Sequence, residues 1–191
     1  AELTNFTVPV CLSSTHIGWG TIRLEPTWMH IGESTGFAVA LALKQGVALA
    51  DIDRDFLQSI LAEERIMLSY FNDIDMLSAD NYVPAIQYLG TKGFFPTYNA
   101  LASQPLDIQT AVQWVRMTGM LLTANLDANR EAATLYTIEQ TGSQPSGITH
   151  TDFVSMLRTE INSLGLDVSE TKINGNASGE QINRGEASQI I

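Results

Sequence analysis

Residues 106–115, LDIQTAVQWV, recur twice further along the chain without gaps, as ITHTDFVSML at 148–157 and INRGEASQII at 182–191. Each copy opens on Leu or Ile. A residue suited to capping a helix follows: Asp107, Thr149 or Asn183. Three positions later stand Thr110, Asp152 and Glu186. In the second and third copies this approximates a capping box, in which the two side chains satisfy each other's free N–H groups. Ala111, Phe153 and Ala187 come next. Trp114/Val115, Met156/Leu157 and Ile190/Ile191 then fall on the face that a helix would bury. Three copies of one helix start, spaced 42 and 34 residues apart, predict a helical repeat architecture.

Working outward, the pattern predicts helices over 81–92, 107–122, 127–140, 149–164 and 183–191. GFFPTYNALASQP, TGSQPSG and LDVSETKINGNASGEQ connect them. The last connector is long and poor in large apolar groups, the composition of a flexible segment. The chain before residue 69 reads differently. FTVPVCL (6–12) has the pattern of a strand, with Pro9 marking an edge, and GTIRL (20–24) that of a second extended segment. A helical pattern runs from Met29 to Gln45, and Gly46 is placed as its stop. Asp53 is suited to cap a further helix reaching about Arg65. The expected fold is mainly α. Short strands and a helix occupy a first unit at 1–68, and a helical repeat-like bundle fills 69–191.

Composition narrows the function. A chain of 191 residues supports one good core or two small ones. The net charge of −11 repels phosphates and argues against nucleic acid. The longest apolar run, Phe37–Leu43, is far short of the ~20 residues that span a bilayer, so no membrane insertion is expected. AELTNFTVPV lacks the basic and apolar regions of a secretory leader. Cys11 is the sole cysteine, which excludes an intrachain disulfide and a thiolate metal site. It reads as a small core residue rather than as a nucleophile paired with His16. Asn5-Phe6-Thr7 and Asn176-Ala177-Ser178 fit the glycosylation pattern. Asp73, Asp75 and Asp80 suggest calcium, but Ser78 stands where an EF-hand needs Gly and Pro84 where it needs Glu. The three His give no ligand spacing, so no metal is expected.

The helical part resembles the S-layer homology family. The segment FNDIDMLSADNYVPAIQYLGTKGFFPTYNALASQPLDIQTAVQWV (71–115) supplies Phe71, Asp73, Ala85, Ile86, Leu89 and Gly93, and the later boxes read ITHTDF and INRGEA. In that family a basic residue of the box helps to hold an anionic cell-wall polysaccharide. Here only Arg184 keeps it, with His150 at the matching place in the second copy.

Residues 8–66 resemble the C-terminal part of a family of bacterial FAD-dependent oxidoreductases. The matching residues are Ser13-Ser14-Thr15-His16, Arg23, Glu25, Pro26, Met29, Gly32, Ser34, Gly36, Ala38, Ala40 and Ala42. Gln45-Gly46-Val47, Asp51-Ile52-Asp53 and Leu57 follow. The resemblance implies a last strand running into a last helix whose N-terminus points at the flavin, with Gly32, Glu33, Ser34 and Gly36 against the cofactor. Free N–H groups there could stabilise negative charge on the flavin. Gly32, Gly36 and Ala40 share one face at four-residue spacing. His16 and Arg23 would face substrate, one moving a proton and the other fixing a carboxylate or neutralising reduced flavin.

No G-x-G-x-x-G follows a predicted strand in this chain. The expectation is therefore a C-terminal fragment, inactive and free of FAD by itself. FAD belongs to the full-length parent, and the N-terminal flavin domain is the fragment's partner. The helical appendage would serve docking or homo-oligomerisation. The resemblances imply a bacterial protein, with the compartment left open and the periplasm or cell envelope among the candidates. The alternative reading is a polysaccharide-binding module of the envelope.

Overall fold

The computed structural model describes residues 6–141, 146–166 and 179–191. Most of the connector expected to be flexible lies outside these residues, as do Asn5 and Asn176. The chain divides into two compact units, Ala1–Ile66 and Met67–Ile191. The described residues are mainly helical, as the patterning predicts, and β-structure among them is limited to isolated bridges.

In the first unit the two expected strands do not form. Residues 6–15 carry no regular structure, and most of GTIRL lies in helix α1 (His16–Ile22). The Thr15 side chain starts α1 by accepting from the Gly18 N–H at 3.2 Å. Alternating β-branched residues favour a strand only where another strand supplies the ladder, and none is present among the described residues. Helix α2 (Glu25–Gln45) begins earlier than Met29, because Pro26 fits a first turn that needs no N–H from it. Gly46 ends α2 in the left-handed conformation, φ 68°. A single 3₁₀ turn, Leu49–Asp51, leads to helix α3 (Arg54–Glu63). Asp53 caps α3 by accepting from the N–H groups of Asp55 and Phe56. Helices α2 and α3 pack together, and Leu41, Ala42, Leu61 and Ala62 on them are the buried apolar residues among those described in this unit.

The second unit holds helices α4 (Tyr82–Thr91), α5 (Ile108–Leu122), α6 (Ala128–Thr141), α7 (His150–Ser163) and α8 (Arg184–Ile190). Each predicted cap is in place. Asp107 accepts from the N–H groups of Gln109 and Thr110, and Thr149 from that of Asp152. Asn183 and Glu186 complete a reciprocal box. At Thr149 the box is only half made, because the Asp152 carboxylate takes the threonine hydroxyl instead of the backbone N–H.

The residues that open the three copies meet at one point. The Leu106 N–H donates to the Ile182 carbonyl (2.9 Å), Ile182 to Ile148 (3.1 Å) and Ile148 back to Leu106 (3.0 Å). Two positions outward the pattern repeats, with Ile108 donating to Ser146, His150 to Glu180 and Arg184 to Gln104. The copies are thus related by an approximate threefold arrangement closed by backbone hydrogen bonds, and all three opening side chains are buried. The helices radiate from this ring: α8 packs on α4, and α5 on both α6 and α7.

The core runs through all three copies. Trp114 is fully buried and donates from Nε1 to the Phe94 carbonyl at 3.1 Å. Ile190 is buried at the matching place, but Met156 is only half-buried against the core, so the three positions are not equally covered. Gln87, also fully buried, accepts on Oε1 from the Leu68 and Ser69 N–H groups at 2.8 and 2.9 Å. It anchors the segment that precedes α4 where no sheet exists to do so.

Candidate functional site

The structure does not gather the residues marked by the flavoprotein resemblance into one pocket. His16 opens α1 and Arg23 is its C-cap, so the two stand at opposite ends, roughly 10 Å apart along the axis. Both are exposed. The N-terminus of α2 is at Glu25, which puts Gly32, Glu33 and Ser34 in the helix interior, where their N–H groups belong to the helix ladder. This corrects the expectation of free N–H groups at Gly32. The N-terminal charge that a helix offers to an anion lies instead at Glu25–Thr27.

At about 100° per residue, Gly32, Gly36 and Ala40 line one side of α2 while Ser34 faces the other. The Ser34 hydroxyl donates to the His30 carbonyl at 3.0 Å, and Glu33 lies 3.8 Å from the His30 ring. A Cβ added at Gly32 or at Gly36 would meet nothing within 4 Å. The side of α2 with the least side chain is therefore open. Met29 and Leu43, both exposed, fall on the same side of α2, and Ile17 and Leu24 are exposed elsewhere in the first unit.

The second unit contains a cleft of about 580 Å³ lined by Ser69, Tyr70, Phe71, Gly90, Phe95, Pro96, Thr97, Tyr98 and Tyr136. Three chain segments build it. The one before α4 is fixed by Gln87 and passes close to α4 at Gly90, where a Cβ would lie 2.5 Å from Ser69 Oγ. The loop 94–101 is held by Asp73, whose carboxylate accepts from the Ala100 and Leu101 N–H groups at 2.8 and 2.7 Å. Leu101 adopts φ 54° there, a left-handed backbone that costs a branched residue about 1 kcal/mol. The Asn72 N–H donates to the Tyr98 carbonyl at 2.8 Å and ties the two segments together. Tyr136 comes from α6. Phe71 and Phe95 pack edge to face, 5.3 Å apart, beneath the exposed tyrosines.

Arg184, the basic residue of the third box, points inward. Its Nη1 donates to Glu139 Oε1 at 2.7 Å, and the guanidinium lies 5.7 Å from the Phe95 ring and 5.5 Å from the Trp114 ring. It is buried, which removes it from contact with an external polymer. The cleft was not among the sites read from the sequence, although its tyrosines sit beside or within the Gly- and Pro-rich connector 93–105 and in α6.

A family model described as FAD dependent oxidoreductase matches residues 1–61. This part of the chain is related to FAD-dependent oxidoreductases, and every matched residue belongs to the first unit. No curated protein and no solved structure matches the chain.

Proposed function

We propose that residues 1–66 are the C-terminal portion of the flavin-binding domain of an FAD-dependent oxidoreductase, and that residues 67–191 form an appended helical module for docking or self-association. The observation that carries the first half is the open small-residue side of α2, within the stretch that the family model matches. A unit whose described residues bury four apolar side chains and expose several larger ones calls for cover from further protein. The rest of the flavin domain supplies that cover in this reading.

The residues present fit the flat face of a flavin, since Gly32 and Gly36 leave room for an approach that a side chain would block. They do not include a pyrophosphate cradle. FAD, when bound by the intact protein, supplies the acceptance and release of electrons. The contribution of this chain is to let the ring lie close to α2 and, through Arg23, to offer a cation near the start of that helix. Glu33 borders that approach, Ser34 stands on the far side of α2 with its hydroxyl on the His30 carbonyl, and His16 lies too far from Arg23 to share one small substrate atom with it.

The test uses the longer parent protein. With Gly32→Val it should lose flavin absorbance or shift its flavin potential, whereas the 191-residue chain alone should be colourless with or without the change. A substituted parent with unchanged flavin content, potential and turnover would make α2 purely structural. For the module, a pull-down with purified cell-wall polysaccharide tests the envelope-binding alternative. The inward turn of Arg184 leaves that alternative without its cation.

A further inference from the structure

We infer that the cleft walled by Tyr70, Tyr98 and Tyr136 is a docking site for a proline-rich peptide segment in the extended polyproline II form with basic residues flanking it. This deepens the docking role proposed for residues 67–191 and is independent of the flavin reading.

Three large rings stand open to solvent in one place: Tyr70 is 61% exposed, Tyr98 71% and Tyr136 50%. Tyrosine gathered in a concavity is the commonest kind of anchor at a recognition surface. The volume, about 580 Å³, accommodates several residues of an extended peptide. The backbone that carries the rings is also held in advance. The Gln87 anchor before Tyr70, the Asp73 clamp with the Asn72–Tyr98 backbone hydrogen bond, and α6 fix the three backbones that carry the rings, so ordering on binding is confined to the side chains.

The arrangement of the rings selects the occupant. Tyr70 and Tyr98 meet at 66° with centroids 6.3 Å apart, which makes a corner and not a platform. A pyrrolidine ring fits a corner between two aromatic edges, as proline-rich segments do in other aromatic grooves. A sugar ring needs a flat aromatic face and planar amide, carboxylate or guanidinium partners, and none of the lining residues carries such a side chain. A polyproline II backbone forms no internal hydrogen bonds, so its carbonyls are available to tyrosine hydroxyls, and it enters already extended.

Charge sets the flanks. No ionisable Asp, Glu, Lys or Arg lines the cleft. The segment 67–100, which supplies two of its walls, carries Asp73, Asp75 and Asp80 against Lys92 alone, in a chain of net charge −11. That field repels an anionic polymer and attracts lysine or arginine on either side of an uncharged proline core.

The experiment is a calorimetric and ¹⁵N-resolved titration of the 191-residue chain with a synthetic proline-rich peptide flanked by arginines. Saturable binding is expected, with shifts at Tyr70, Thr97, Tyr98 and Tyr136. Tyr98→Ala and Tyr136→Ala should each weaken it by about tenfold or more while leaving the circular dichroism spectrum unchanged, and glutamate flanks should weaken it further. No saturable shift, or equal binding by both variants, overturns the proposal. A neutral oligosaccharide that binds in a Tyr98-dependent way while the peptide does not also overturns it, but leaves the docking role standing. Failure of both ligands removes the cleft from that role as well.

Discussion

At the scale of single residues, two glycines with opposite surroundings separate backbone need from cofactor need. Gly93 has φ 81°, and a Cβ there would collide with the Ala128 carbonyl oxygen. Gly93→Ala should cost at least about 3 kcal/mol in chemical denaturation, from strain and from displacement of α6. Gly32 sits inside α2 with open space around it, so Gly32→Ala should raise the helicity and stability of this chain, by about 0.5–1 kcal/mol. Nothing within this unit requires glycine at position 32. A third residue gives a pH signature. The Tyr82 hydroxyl donates to Asp80 at 2.9 Å, and this bond, with partial burial and the nearby carboxylates, raises the phenol above its ordinary pKa of 10.0. The folded chain holds that proton more tightly than the unfolded one. The contribution is therefore complete below the unfolded pKa and is lost as pH rises through the folded pKa. Ultraviolet titration should show one tyrosine ionising late, and Asp80→Asn should bring it earlier.

At the scale of elements, the helix starts were legible because capping is local. Asp53, Asp107, Thr149 and Asn183 each cap the helix they were read as opening, and the information lies within three or four residues of each. Asn183→Ala should cost about 1 kcal/mol by losing the side-chain half of the box, the backbone N–H keeping its bond to Glu186, measured by thermal or chemical denaturation. The strands at 6–12 and 20–24 were misread because periodicity reports a preference, while a strand needs a neighbour, which lies beyond its own segment. The direction of Arg184 was also beyond local reading. Its partner Glu139 comes from the helix before the previous box and meets it only once the copies have closed. Replacing Glu139 with Gln should destabilise by about 3 kcal/mol, since a buried guanidinium would lose its counter-charge. A double-mutant cycle with Arg184→Met should recover part of that loss.

At the scale of the whole molecule, the cleft shows what no window of sequence contains. Tyr70, Tyr98 and Tyr136 come from a loop, a connector and a helix, and become neighbours only because Gln87, Asp73 and α6 bring their backbones together. The central ring was legible in part. The three opening residues were visible as a repeat, but their mutual hydrogen bonding follows from the closed arrangement and not from any one copy. Trp114→Ala should cost about 3–5 kcal/mol and broaden or abolish the cooperative unfolding of the second unit, because this fully buried side chain sits in the core that all three copies share. The first unit, with its small core, should unfold separately and earlier, which two-probe melting curves would reveal.

The ring of Leu106, Ile148 and Ile182 also bears on how quickly this module is made. Helical proteins ordinarily fold fast because their contacts are short in sequence. Here the defining contacts join positions 42 and 34 residues apart, and the third edge joins the two outermost members across the whole span. Loop closure must precede the reward at each of these three bonds, which slows this step relative to the purely local contacts of a simple bundle. On a ribosome the last edge waits for α8 at the extreme end of these residues. Until it emerges, Leu106 and Ile148 remain a lone pair with an open donor and an open acceptor.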